Sequence, residues 1–355
     1  MTNVGIIGCG GISRFHLEGY AKAGARIAHV CDIRPEAARA VGARYGARVS
    51  TDYRAVLDDP EVQLVSVLTT ASTHKEICLA AIAKGKGVVC EKTLADNPAD
   101  AAEIARAADQ AGVFCATAYM KRYFPASQQA KALLAEMGPV ISIYARSWQP
   151  WGPWDGELDP SLTSHPSSVV QRYGGGVLVC AGSHILDLIH WFGGRPGRVS
   201  GDMYVREGMD FDVQANAMLW LEGGGIMHFE ACWHPLMYAG YERNGWDERF
   251  EINTTKGRLD FFTVRWDHPE NNGALVVHQD AASGRVTEYR YPPVNPFDVE
   301  MAEMVRRFEA GEPGFPSAWD GYVVDELIAH VTAAAEQQAV LPVAWRDEGR
   351  TGIRP

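Results

Sequence analysis

Apolar positions fall along the chain in two textures. Through residue 120, short continuous apolar runs, NVGIIG (3–8), ARIAHVCD (25–32), LVSVL (64–68), GVVCEK (87–92) and VFCATAY (113–119), alternate with Ala-rich amphipathic stretches such as 72–84 and 98–111. Continuous apolar runs predict strands buried on both faces. Their alternation with helical patterns predicts βαβ units and a doubly wound parallel sheet. Beyond residue 120 a helix near 125–136 leads to a strand over 140–148. An irregular Trp- and Pro-rich piece, QPWGPWDGELDPSLTSHP, then precedes an apolar helix opened by three glycines at 174–176. Strand-like runs dominate from about 198 to 291, among them VQANAMLWL and GIMHFEACW, and helices near 297–310 and 319–338 close the chain. Strands following strands predict an α+β domain with a mostly antiparallel sheet. The expected domains are 1–120 and 121–355, with the closing helices as candidates to pack back on the first.

Composition narrows the partners. At 355 residues the chain exceeds one ordinary core, which supports the two-domain division. A net charge of −11, with no basic run, argues against a nucleic-acid or anionic-membrane surface. No apolar run reaches membrane-spanning length, and the start, MTNVGIIGCGG, lacks the pattern of a signal peptide. Seven cysteines without C-x-x-C spacing suit reduced thiols in a cytosol. The expectation is a cytoplasmic protein whose partner is a small molecule.

The first strand runs into Gly8-Cys9-Gly10-Gly11-Ile12-Ser13. Gly8 suits a tight turn, Gly10 allows close approach of a pyrophosphate, and the following helix N-terminus favours negative charge. Asp32-Ile33-Arg34 ends the second strand about twenty residues on, where the Asp32 carboxylate accepts both ribose hydroxyls of NAD and repels a 2′-phosphate. Arg34 keeps NADP open, because an arginine there pairs with such a phosphate. Glu91-Lys92 ends the fifth strand, at the sheet edge where doubly wound folds bind ligands. An ammonium at that edge either serves proton transfer or pairs with its neighbouring glutamate on the surface. Thr69, Thr70 and His74 follow the fourth strand and border the nicotinamide half of the cofactor in this reading. In the apolar helix, Cys180, His184 and Asp187 are spaced +4 and +3, which places them on one face of a regular α-helix. That face is either a working surface or polar residues absorbed into packing. No spacing completes a four-ligand metal set, so no metal is expected.

In this order the glycine loop, the Glu-Lys step and the triple-glycine helix resemble the Gfo/Idh/MocA family of NAD(P)-dependent sugar and polyol oxidoreductases, over nearly the whole chain. The resemblance implies an N-terminal Rossmann domain and a C-terminal α+β domain. The open sheet of the latter usually mediates dimer or tetramer contacts, and the active site lies between the domains. The family's E-K-P is Glu91-Lys92-Thr93 here, with Thr93 in place of proline. The family's G-G-G-x-x-x-D-x-G-x-H-x-x-D is matched by the glycines at 174–176, Gly182, His184 and Asp187, with Cys180 where the first aspartate stands. The segment AYMKRYFP implies that Met120, Arg122 and Tyr123 face the cofactor–substrate cleft.

The reaction implied is oxidation of a secondary hydroxyl of a sugar, polyol or sugar derivative, with Lys92 and His184 handling the proton. Trp148, Trp151 and Trp154 either offer aromatic faces to a sugar ring or pack against a subunit neighbour, and Arg172 or Arg122 offers a guanidinium to the sugar's hydroxyls or acidic group. Cys180 and Asp187 complete the candidate substrate site. Two alternatives remain at this level. One is an NAD-dependent glycosidase that oxidises transiently, eliminates and re-reduces. The other is a non-catalytic sugar or NAD sensor.

Overall fold

The computed structural model describes residues 1–151, 174–266 and 273–347. The chain divides into two compact units, Met1–Met120 with Pro296–Asp325, and Lys121–Asn295 with Glu326–Pro355.

The first unit runs β1 (Asn3–Ile7), α1 (Ser13–Lys22), β2 (Arg26–Cys31), α2 (Pro35–Tyr45), β3 (Arg48–Ser50), α3 (Tyr53–Asp58), β4 (Leu64–Val67), α4 (Ala71–Ala83), β5 (Gly87–Glu91), α5 (Pro98–Ala111) and β6 (Cys115–Ala118). Its strands form a wholly parallel sheet in the order β3-β2-β1-β4-β5-β6. Each residue of β4, β5 and β6 is buried, as continuous apolar runs require when helices cover both faces. The sequence reading omitted β3. It is a three-residue edge strand whose side chains are exposed or half-buried, so it carries no apolar run. Helix boundaries follow local chemistry. Asn97 caps α5 by accepting from the Asp100 N–H, Pro98 takes the first helical position, and Gly112 ends the helix with φ +62°. The unit is completed by α8 (Pro296–Ala310), which lies against α1. A Cβ at Gly19 would stand 2.9 Å from the Phe297 carbonyl, and the rings of Phe15 and Phe297 stack at 4.9 Å.

The second unit contains a 3₁₀ turn (Met120–Tyr123, begun in the first unit), α6 (Pro125–Leu134), β7 (Val140–Gln149), a π-helical turn (Leu178–Gly182), α7 (Ser183–Gly193) and β8 (Pro196–Val205). It continues through β9 (Asp212–Leu221), β10 (Ile226–Trp233), β11 (Asp247–Thr254), β12 (Gly257–Phe262), β13 (Leu275–Asp280), β14 (Val286–Arg290) and β15 (Leu341–Pro342). The last helix, α9 (Ala318–Gln337), contains the division between the units. Among the described residues the strands form one nine-stranded sheet, β14-β13-β12-β11-β7-β10-β9-β8-β15. Every pairing is antiparallel except β7 with β10. The long connection from β7, which includes α7, permits that one parallel pair. Burial alternates along β7, β9 and β10, so the sheet has one covered face and one open face. Among the described residues no helix is long and apolar enough to cross a membrane.

Candidate active site

The carboxyl edge of the parallel sheet carries the glycine loop. Gly8 adopts φ +101°, and a Cβ there would lie 2.5 Å from the Leu68 carbonyl oxygen, so the turn between β1 and α1 demands glycine. Gly10 and Gly11 are exposed, and an added Cβ at either would meet nothing within 4 Å. Helix α1 begins at Ile12 without a side-chain cap and without an acid in its first turn, leaving N–H donors and the positive end of the dipole toward the loop. The Asp32 carboxylate accepts from the Cys9 N–H at 2.8 Å, the Arg34 N–H at 2.8 Å and the Arg34 guanidinium at 3.1 and 3.3 Å. Burial raises its pKa, but the hydrogen bonds from Arg34 and Cys9 outweigh that, so Asp32 is held below the ordinary carboxylate range. Burial, with the neighbouring Asp32 charge, pushes the Cys9 thiol up to about 12, so it stays protonated. Ile33 beside it is 88% exposed, an apolar surface at the end of β2.

Lys92 is half-buried where β5 ends on the same edge. Its N–H donates to Glu91 Oε2 at 3.0 Å, and the other oxygen of Glu91 lies 2.8 Å from His16 Nε2 on α1. Thr69 and Thr70 stand half-buried and exposed at the end of β4. His74 is buried, with Nδ1 2.9 Å from the Thr93 carbonyl oxygen and Nε2 3.1 Å from that of Thr69. Burial lowers its pKa, the carbonyl contacts acting in the opposite direction. His74 therefore contacts the backbone of two loops rather than presenting a free ring at the edge.

In the second unit, the glycines at 174–176 answer a packing demand. Gly174 takes φ +79°, and a Cβ at Gly176 would lie 2.2 Å from the Asp212 carbonyl oxygen. Asp212 Oδ2 accepts the Leu178 N–H at 2.8 Å, so a carboxylate from β9 holds the start of the helical segment. Burial raises the Asp212 pKa, and the backbone donors of Leu178, Asp212 and Gly176 offset this only in part. The segment is not one regular helix. Residues 178–182 form a π-helical turn, so the +4 spacing between Cys180 and His184 does not carry a common face across it. Cys180 is buried in that turn. Asp187 is fully buried and faces inward, where Arg122 grips it with Nε at 3.1 and 2.9 Å and Nη2 at 2.6 Å. The Arg122 guanidinium also lies 5.2 Å from the Trp191 ring centre. His184 is different: between residues 180 and 192 it alone is not buried.

The 3₁₀ turn that carries Arg122 is anchored twice more. Lys121 Nζ donates to the fully buried Glu248 carboxylate, which also accepts from Ser147 Oγ at 2.5 Å and Thr263 Oγ1 at 2.7 Å. Burial raises the Glu248 pKa, but the Lys121 charge and these donors bring it below its ordinary value. Met120, Arg122 and Tyr123 are all buried. Arg122 and Asp187 thus form an internal ion pair, and their polar groups are directed at each other. Trp148 is half-buried with its ring 5.3 Å from His234, and Trp151 lies 6.0 Å from Trp233. Trp154 and Arg172 lie outside the described residues. The sequence reading missed His16, Asp212, Lys121 and Glu248. The first carried a signal, a histidine on the apolar side of α1 next to Leu17 and Tyr20. Glu248 carried none.

Residues 2–119 match the GFO/IDH/MocA model described as an oxidoreductase family with an NAD-binding Rossmann fold, and residues 127–260 match the GFO/IDH/MocA C-terminal domain. Inositol 2-dehydrogenase of Rubrobacter xylanophilus is 27% identical over 94% of this chain and 92% of its own length. Levoglucosan dehydrogenase of Pseudarthrobacter phenanthrenivorans is 25% identical over 96% and 98%. A levoglucosan dehydrogenase solved with NADH and levoglucosan shares the fold at a TM-score of 0.81, with 20% identity, over 97% of this chain and 100% of its own.

Proposed function

This chain belongs to the GFO/IDH/MocA family of NAD-binding oxidoreductases, and on that premise we propose that it oxidises a secondary hydroxyl of a cyclic polyol, sugar or sugar derivative. The observation that carries the reading lies within the first unit. Because β1 and β5 are parallel members of one sheet, the open glycine loop and Lys92 stand on the same carboxyl edge, with only β4 between their strands. The residues fit a dinucleotide. Gly10, Gly11 and the uncapped start of α1 receive the pyrophosphate, Asp32 the ribose hydroxyls and exposed Ile33 the adenine face. Thr69, Thr70 and the Lys92 step border the nicotinamide.

A bound nicotinamide would supply the acceptor for the hydride of the carbinol carbon. The chain's own part is the hydroxyl proton. Lys92 Nζ, acting as the neutral amine, hydrogen-bonds the hydroxyl, receives its proton as the carbonyl forms and becomes the ammonium. Within the second unit, the Arg122–Asp187 pair and buried Tyr123 fix α7 and the 3₁₀ turn, and so hold His184, the second group proposed to handle the proton. Names of relatives, inositol 2-dehydrogenase and levoglucosan dehydrogenase, support a ring-bound hydroxyl as the target.

The open face of the nine-stranded sheet supports a homo-oligomer. Tyr144, Arg146, His228 and Glu230 alternate with buried Ile143, Ala145 and Phe229, and border a groove of about 590 Å³. We propose that a second copy covers it; light scattering should give a dimer or tetramer mass, and a monomer at micromolar concentration would refute this.

The functional test is a panel of cyclic polyols, anhydrosugars, free sugars, acidic sugars and glycosides with NAD, following NADH absorbance and product mass together. NADH rising with a product two hydrogens lighter is the expected result. A glycoside cleaved in the presence of NAD with no net NADH would overturn it in favour of transient oxidation.

A further inference from the structure

Three buried side chains hold the backbone around Lys92. On its N-terminal side, Glu91 lies between His16 Nε2 at 2.8 Å and the Lys92 N–H at 3.0 Å. His16 is itself held, because its Nδ1 lies 3.2 Å from Ser66 Oγ, which accepts from Tyr20 O–H at 3.4 Å. The directions agree if Tyr20 donates to Ser66, Ser66 donates to His16 Nδ1, and the His16 proton sits on Nε2 facing Glu91. On the C-terminal side, His74 Nδ1 lies 2.9 Å from the Thr93 carbonyl oxygen, and its Nε2 lies 3.1 Å from the Thr69 carbonyl oxygen at the end of β4. Two residues on, the Ala95 N–H donates to Asp325 Oδ2 at 2.9 Å. His16, His74 and Asp325 come from three different helices, α1, α4 and α9, and all are at most 4% exposed.

This arrangement bears on the residue after the lysine. Thr93 has no ring to restrict its backbone, so the conformation of the 91–95 segment is set by what grips it. A neutral imidazole has one N–H, and the shorter contact assigns it to Nδ1 facing the Thr93 carbonyl oxygen; losing that buried bond would cost the desolvation of both groups. We propose that His16 and His74 are positioning residues for Lys92, His16 acting through Glu91 and His74 through the Thr93 carbonyl. They fix where Nζ is presented without touching substrate. The proposal rests on the assignment of Lys92 to the proton transfer.

The test uses the full-length protein and a substrate found by the panel above. Variants are His74→Ala, His74→Gln, His16→Ala and His16→Gln, with Lys92→Met as reference. Beside kcat, KM and NADH affinity, acetylation of Lys92 by acetic anhydride is followed by peptide mass spectrometry against exposed Lys22. The two alanine variants should lose about 10- to 100-fold in kcat, the scale expected for a misplaced reacting group, with NADH affinity and KM changed by less than about threefold. The Lys92/Lys22 labelling ratio should change by about threefold or more, and each glutamine variant, which keeps one donor, should recover part of both losses. His16 is fully buried, so if His16→Ala fails to fold, the Gln variant and the His74 pair decide. Unchanged kcat and labelling in the folded variants, with Lys92→Met inactive, would overturn the positioning role and leave the function of Lys92 standing. An active Lys92→Met would overturn the assignment of Lys92 and this proposal with it.

Discussion

The two glycine-rich turns, 8–11 and 174–176, use the same residue for opposite ends. In the first, Gly10 and Gly11 border empty space, where an added Cβ would touch nothing within 4 Å. In the second, Gly176 is filled from outside, with the Asp212 backbone where its Cβ would be. One turn keeps room for a ligand. The other lets β9 reach the start of a helical segment and so fixes the residues that follow, including His184. Glycine runs that look alike in a sequence therefore separate into binding and packing roles by a geometric criterion, the distance to the nearest atom that a methyl group would meet.

That distinction is easiest to break on the packed side. Asp187→Ala should give the largest effect, because it leaves the Arg122 guanidinium buried without its bidentate partner. A loss of about 3–5 kcal/mol, seen as a fall in the melting temperature of roughly 6–20 °C, is expected. Gly176→Ala should follow at about 3 kcal/mol, since the collision is with backbone that cannot rotate away. Thermal denaturation checks both, and a melting temperature within 2 °C or so of the parent for Gly176→Ala would remove the packing half of the comparison. On the open side, Gly10→Ala should leave the melting temperature unchanged while weakening NADH binding about tenfold, or about 1.4 kcal/mol. Titration of NADH fluorescence decides it, and unaltered affinity would mean that the loop's openness serves no ligand.

The smallest expected effect is electrostatic. Glu248 has its pKa lowered in the fold, the charge of Lys121 and the donors of Ser147 and Thr263 outweighing burial. A carboxyl with a depressed folded pKa contributes stability that is present above its unfolded value, here 4.5, and is lost as pH falls through the folded value. Melting temperatures should be flat above pH 5 or so and decline below about 4.5. In Lys121→Met the buried carboxylate loses its cation, and acid should then relieve part of the damage. A decline of equal slope in both proteins would remove Glu248 from the account.

Much of the first unit was legible because its chemistry is local. Buried parallel strands are unbroken apolar runs, and the glycine loop, Asp32 and Lys92 each sit at a strand end that sequence alone marks. Edge strand β3 escaped because an exposed three-residue strand has no pattern to read. In the second unit the antiparallel character was legible from strands following strands, while the parallel β7–β10 pair was not, being set by a long connection. Arg122 with Asp187, 65 residues apart, and Lys121 with Glu248, 127 apart, leave no trace in local spacing. The helical spacing of Cys180, His184 and Asp187 suggested a shared face. The π-helical turn and the inward pairing of Asp187 leave His184 as the half-exposed member.

The most direct test of the account is kcat/KM for the hydroxyl substrate in Lys92→Met, measured beside NADH affinity in the same preparation. The account predicts a loss of about 10²- to 10⁴-fold in kcat/KM with NADH affinity essentially preserved, as removal of the proton acceptor requires. Turnover within a few-fold of the parent would contradict it.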